Sequence, residues 1–154
     1  MADGRFFSVP LKDSASGPTG GFARLVPELH VNDLARSLAF WRDLCGFKIA
    51  FEREEEKFVF LEREGAQLML CQRHGRYETG AMNQPLGQGA MFQVYLDDIG
   101  ALAATLAAQW RLYEGLSERW YRAGNRENGL RQFIVQDPDG YLVMFAQSLG
   151  SRPA

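Results

Sequence analysis

Glu28 and His30 stand two residues apart in the run VPELHVND, so on a strand they share one face, where carboxylate and imidazole could hold a proton or help hold a cation. A metal site needs a third and fourth such group. The only other histidine, His74, lies in a different sequence context, and no His-x-x-x-His or Cys-x-x-Cys spacing supplies more ligands. The pair is therefore expected to offer hydrogen bonds to a ligand or a partner chain, and no metal-binding residue is assigned. A nucleophilic mechanism needs an activated Ser or Cys beside a base. No local motif points to one, and Cys45 and Cys71 fall in apolar segments where a free thiol behaves as a small buried hydrophobe. The Asp-Pro-Asp-Gly run at 137–140 imitates an acidic cluster, but that residue order is turn chemistry. No catalytic residue is assigned. A last candidate is SERWYRAGNRENGL, which interleaves Trp120 and Tyr121 with Arg119, Arg122, Arg126 and Arg131. Rings and guanidinium groups together suit a planar or anionic ligand.

The elements that carry these residues follow from periodicity. Residues 1–21 end in the Ser/Gly/Pro tract DSASGPTGG and are expected to form a flexible arm, with Phe6, Phe7, Val9 and Leu11 available to dock on the body or a second subunit. A strand is predicted at 23–31, with Leu25, Leu29 and Val31 on one face and Arg24, Val26, Glu28 and His30 on the other. Asn32 or Asp33 caps a helix whose Leu34, Leu38, Trp41 and Cys45 make one apolar stripe, stopped by Gly46. Strands are predicted at 47–53, 57–63 and 66–72, with Glu64-Gly65 as a hairpin turn. After a polar connection at 73–88 the pattern repeats: strand 90–97, a cap at Asp97 or Asp98, and a helix burying Ile99, Leu102, Ala103, Leu106 and Trp110. Strands 131–136 and 141–147 close the second copy. The interval from Asp98 to Gly140 exceeds that from Asp33 to Gly65 by about ten residues, assigned to a loop near 117–130.

Strand parity sorts the side chains. Phe92, Val94 and Leu96, Leu68 and Leu70, and Val143 and Phe145 are expected under the helices. Met91, Gln93 and Tyr95, Gln67, Met69 and Cys71, and Leu142, Met144 and Ala146 are expected on the other side; parity separates the two sets, and the resemblance given next is what supports this choice of side.

VPELHVNDLARSLAFWRDLCGF and QFIVQDPDGYLVMFAQ together resemble the glyoxalase, bleomycin-resistance and dioxygenase (vicinal oxygen chelate) superfamily over about residues 23–147, most closely its bleomycin-resistance branch. The resemblance implies an α+β fold of two βαβββ modules forming a cupped mixed sheet with helices on the outer face. The modules would span about 22–72 and 89–148 of a single domain at 22–150. In metal-using relatives the ligands would fall at Val26, Met69, Met91 and Met144, none of which is His, Glu or Gln. Imidazole and carboxylate hold the cation in such enzymes, whereas three thioethers and a valine make a deformable apolar surface. The resemblance therefore implies a non-catalytic homodimer that binds and sequesters a small amphipathic or aromatic molecule, a bleomycin-type antibiotic among the candidates. The expected contacts are Val26, Glu28, His30, Met69, Met91, Gln93, Tyr95, Trp120, Arg131 and Met144, with no cofactor. Two departures from that branch are the arginine-rich stretch, and Asn128-Gly129-Leu130 where relatives tend to carry a Pro-Trp-Gly turn. The alternative is a lyase, isomerase or dioxygenase of the same superfamily with an atypical metal site.

Composition sets outer limits. A chain of 154 residues can bury a core as one domain without disulfide or metal staples. A net charge of −2 with interspersed signs provides no broad basic field, so nucleic acid is not an expected partner. No run of 18 apolar residues and no secretory pattern is present, which points to a cytoplasmic protein without a membrane partner.

Overall fold

The computed structural model describes residues 17–154, so Phe6, Phe7, Val9 and Leu11 of the expected arm lie outside the described residues. The chain divides into two compact units, Met1–Gly80 and Ala81–Ala154, each a βαβββ module around a four-stranded mixed sheet. The fold is α+β, as the resemblance implies.

In the first unit β1 (Glu28–Val31), α1 (Leu34–Leu38), β2 (Lys48–Arg53), β3 (Phe58–Arg63) and β4 (Ala66–Gln72) follow in order, and the sheet runs β1-β4-β3-β2 with β1 parallel to β4. β1 is shorter than its alternation predicts. Pro27 has no N–H to give, so the ladder starts just after it, and Leu25, expected on one strand face with Leu29 and Val31, is 85% exposed. The Asp33 carboxylate caps α1 by accepting from Arg36 N–H (3.2 Å). Beyond Leu38 the helix widens into π-helical turns over Ala39–Leu44, where Cys45 N–H reaches back five residues to Phe40 C=O (2.8 Å). The widening turns neighbours Phe40 and Trp41 inward together. Trp41 and Cys45 of the expected stripe are buried, while Leu34 and Leu38 are half-buried. Their places are taken by Ser37 and Phe40. Leu29, Val31, Val59, Leu61, Leu68 and Leu70 complete this side of the sheet.

Residues 17–21, the described end of the expected arm, are tied down. Thr19 donates from N–H (2.8 Å) and Oγ1 (3.0 Å) to the Glu62 carboxylate. The Gln67 amide accepts from Ala23 N–H and donates to Gly21 C=O, both at 2.8 Å. Gln67 is thereby committed to structure.

In the second unit β5 (Met91–Tyr95), α2 (Gly100–Gln109), β6 (Leu112–Ala123), β7 (Arg126–Gln136) and β8 (Leu142–Pro153) form a sheet of order β5-β8-β7-β6, with β5 parallel to β8. Asp98 accepts from Gly100 N–H (2.7 Å) at the start of α2. Trp110 ends that helix half-buried, its indole donating to Gln136 C=O (2.9 Å). The Asp-Pro-Asp-Gly run is the expected turn: buried Asp137 accepts from Asp139 N–H (3.0 Å) and Tyr141 N–H (2.9 Å).

The expected loop at 117–130 is corrected. The additional residues lengthen β6 and β7 into one hairpin that turns at Gly124 and Asn125, and β8 runs alongside it to Pro153. Backbone ladder bonds satisfy what a polar loop would leave to water. Gly129 lets the Trp120 ring lie against the neighbouring strand, where any Cβ would come within 2.7 Å of it.

Candidate ligand-binding faces

Each unit presents one sheet face away from its buried helix side. In the first unit, strand register sets Phe51, Phe60, Met69 and Glu28 in one row across the sheet and Arg53, Phe58, Cys71 and His30 in the next. Val26 and Met69 pack with Phe22, Ala50 and Phe51 onto buried Phe58, Phe60 and Cys71. Phe51 stacks on Phe60 at 5.0 Å between centroids, and Phe22 meets Phe60 edge-on at 5.3 Å. The Arg53 guanidinium covers the Phe58 ring at 3.8 Å. The first two positions that resemblance assigns to metal ligands thus lie in an aromatic floor.

The polar end of this face is built around His30, which is 8% exposed and sits 3.0 Å from the Glu28 carboxylate. His74 also belongs here, contrary to its separate sequence context: its ring lies 5.1 Å from that of His30 and 6.1 Å from exposed Tyr77. The cause is the parallel β1–β4 pairing, continued by Arg73 N–H to Val31 C=O (2.9 Å), which returns the chain after β4 to the end of β1. Arg73 fixes this segment through Glu78 (2.7 Å) and Asn32 (2.9 Å). Its guanidinium holds the Glu78 carboxyl below the usual carboxylate range. Burial pushes the Cys71 thiol up. A cleft of ≈ 580 Å³ opens beside His74, lined also by Lys57, Cys71, Arg73 and Arg76.

In the second unit, Gln93, Met144 and Ile134 form one row, and Tyr95, Ala146 and Gln132 the next. Gln93 Nε2 donates to the Tyr95 hydroxyl oxygen (2.8 Å). Met91, opposite Leu142, is 47% exposed and Tyr95 54%, whereas Met144 is only 7% exposed and serves as floor. Tyr121, singled out in sequence only as part of the arginine-rich stretch, bonds Gln132 Oε1 through its hydroxyl (2.9 Å) and so belongs to this face. The mixture is thioether and aliphatic surface with amide and phenol groups. It can hold an amphipathic molecule by contact and a few hydrogen bonds.

Trp120 and Arg131 are placed differently from expectation. Arg131 alternates in phase with buried Phe133 and Val135, and its guanidinium lies 3.4 Å from where a Cβ on Gly100 of α2 would stand. Glu118 pairs with Arg131 and accepts from the Trp120 indole N–H (3.1 Å), so Trp120 shares that helix-side face. Arg152 covers the Trp120 ring at 3.9 Å. Parity, not distance along the chain, separates both residues from Gln93, Tyr95 and Met144.

Val26, Met69, Met91 and Met144 offer no nitrogen or oxygen donor, so this set does not fit the hard or borderline cation of the metal-dependent relatives. Among the described residues, no three His, Cys, Asp or Glu side chains converge in a way that could hold a metal ion.

Against known proteins, the profile of the Glyoxalase/Bleomycin resistance protein/Dioxygenase superfamily matches residues 21–145. A protein of unknown function from Agrobacterium tumefaciens str. C58 is similar at 25% identity over 84% of this chain and 96% of its own, with a TM-score of 0.63. TioX from Micromonospora sp. ML1 is similar at 22% identity over 80% of this chain and 98% of its own, with a TM-score of 0.60. Lactoylglutathione lyase from Agrobacterium tumefaciens is similar at 20% over 80% and 92%, with a TM-score of 0.52. The last two likenesses are of fold alone. No curated protein matches.

Proposed function

Because the chain belongs to the glyoxalase/bleomycin resistance protein/dioxygenase superfamily yet carries Val26, Met69, Met91 and Met144 where metal-dependent members would hold their ligands, we propose that it binds and sequesters a small amphipathic or aromatic molecule without transforming it. One observation carries this reading: the side chains at those positions form apolar, adaptable surface, and polar groups adjoin them in both units. Methionine bends to irregular shapes and stacked rings add contact, while Glu28 with His30, and Gln93 with Tyr95, provide the few directed bonds such a ligand needs. The contacts proposed are Val26, Glu28, His30 and Met69 in the first unit and Met91, Gln93, Tyr95 and Met144 in the second. Trp120 and Arg131 are left out because they stand on the other sheet face of their unit. The protein acts as a homodimer, as strand edges in a split sheet favour.

The alternative, a lyase, isomerase or dioxygenase with an atypical metal site, is favoured by one observation, the approach of His74 to the Glu28–His30 pair. A cation there would need His74 to turn from edge contact with His30 into coordination.

Bleomycin is the first probe, titrated by calorimetry and tryptophan fluorescence. Met91 is half exposed, so Met91→Glu leaves the fold intact and weakens binding by about tenfold or more through a charge placed on the ligand face. Trp120→Ala leaves affinity within about twofold, well inside a 1.4 kcal/mol step. Equal affinity in wild type and Met91→Glu would remove the second unit's face from the site. No binding of bleomycin would remove that ligand class and return the question to other amphipathic compounds.

A further inference from the structure

Strand β6 is the edge of its sheet, and an edge strand offers a row of backbone donors and acceptors to any second strand of matching order. Natural edges are usually blunted by proline, bulges or charges that repel. Here the stretch Ser117–Ala123 contains no proline and keeps an unbroken register with β7, the register shifts lying before Ser117. Glu118, Arg119, Tyr121 and Arg122 along it are all exposed.

We propose that this edge is the homodimer interface, with β6 of one copy pairing antiparallel to β6 of a second copy about a two-fold axis at Trp120. The assignment rests on the dimer proposed above and gives it a surface. A two-fold axis normal to the sheet keeps every side chain on its own face, so only residues of equal parity can stand opposite one another. That leaves few registers, and the charges choose among them. Centred on Trp120, Glu118 faces Arg122 of the second copy, and the same contact recurs by symmetry. Arg119 then faces Tyr121 of the second copy, again twice, placing a guanidinium beside an aromatic ring. Ser117 faces Ala123. Centring the pair on Glu118 sets carboxylate against carboxylate, centring it on Arg119 sets guanidinium against guanidinium, and centring it on Tyr121 carries Glu118 past the last strand residue to Gly124. Only the Trp120 register, within Ser117–Ala123, opposes each charge to a complementary group. The charges that would otherwise protect the edge thereby select one partner, a second copy of the same chain. The intrachain contacts prepare the strand: the Trp120 indole is held between Arg152 above its ring and the Glu118 carboxylate at its N–H, so the centre of the interface is already ordered.

Charge reversal tests the register as well as the surface. Sedimentation equilibrium at micromolar concentrations is expected to show a wild-type dimer. Glu118→Arg alone, or Arg122→Glu alone, puts like charges opposite each other at two symmetric places and weakens the dimer by about tenfold or more. The doubly reversed chain, Glu118→Arg with Arg122→Glu, restores opposition and brings the dimer back to within about threefold of wild type. A monomeric wild type overturns the interface, and so does a double variant as weak as either single one. Should the reversed chains lose their fold by circular dichroism, Trp120→Cys gives an independent answer. Opposed residues of antiparallel strands have Cα atoms about 4.5–5.5 Å apart, within disulfide reach, and the native thiols Cys45 and Cys71 are buried. Mild oxidation, or a short bismaleimide linker, is expected to yield a covalent dimer of Trp120→Cys and none of wild type. Absence of the covalent dimer overturns the proposal. Bleomycin titration of the same variants keeps the two readings apart, since binding by a chain with no β6 interface removes the interface and leaves sequestration standing.

Discussion

A thioether at Met69 and a phenylalanine pair at Phe51 and Phe60 decide more about this face than its titratable groups do. The methionine can shift to fit an irregular surface, while the stacked rings fix the floor beneath it. The two cysteines obey the same environment. Cys45 is fully enclosed, and at Cys71 burial raises the thiol's pKa, so the thiolate fraction near neutral pH falls rather than rises. Both are expected to resist iodoacetamide in the native protein and to react readily once guanidinium unfolds it, as read by intact mass. Rapid modification of native Cys71 at pH 8 would mean that the Phe58–Phe60 face opens far more than its packing allows. At this scale parity places Met69 and Cys71 of β4, and Met91, Gln93 and Tyr95 of β5, on the sheet face opposite the helices, but the sequence hides the aromatic floor. Phe58-Val59-Phe60-Leu61 is a continuous apolar run, buried on both sides, with no polar alternation to betray which ring faces which way. It also hides His74, whose meeting with His30 depends on a strand pairing between distant segments.

Tight turns separate the elements, and two of them make a contrast that can be measured. Glu64 and Gly65 both have positive φ, +48° and +86°, the geometry of a two-residue hairpin turn, and a Cβ on Gly65 would meet open space. Gly140 has φ +100° and a Cβ there would come 2.3 Å from Pro85 Cβ. Gly65→Ala is therefore expected to cost about 1 kcal/mol from backbone strain alone, and Gly140→Ala more than about 2 kcal/mol because a clash is added. Urea unfolding of the two variants decides the order, and equal losses would contradict the close approach at Pro85. The turn signals themselves are local, so sequence locates them well, and β4 falls at 66–72 as its alternation predicts. Where elements depart from expectation, a nonlocal or backbone effect has overridden side-chain pattern. Pro27 shortens β1, the π-helical turns at Ala39–Leu44 rotate Phe40 into the core, and ladder bonding turns a polar, arginine-rich stretch into the long β6–β7 hairpin. Polarity marks exposure, and Glu118, Arg119, Tyr121 and Arg122, on both faces of β6, are exposed while still bonded into the ladder.

Across the molecule, two βαβββ units repeat one plan, and the second differs from the first chiefly in the longer strands β6, β7 and β8. Among the described residues no helix is long and apolar enough to cross a membrane. Family membership sets the fold and brings a range of chemistries with it, so activity has to be argued from the residues at the site. In the function proposed above, those residues hold a molecule rather than polarise it. The most direct test combines metal content and ligand fate in one preparation: elemental analysis of the dialysed protein, then mass spectrometry of bleomycin recovered after prolonged incubation with it. The account predicts substoichiometric zinc, iron, manganese and nickel, and bleomycin recovered with unchanged mass from a complex that Met91→Glu weakens. Stoichiometric metal that survives dialysis and is lost in Glu28→Ala or His30→Ala, together with a chemically altered ligand, would contradict it.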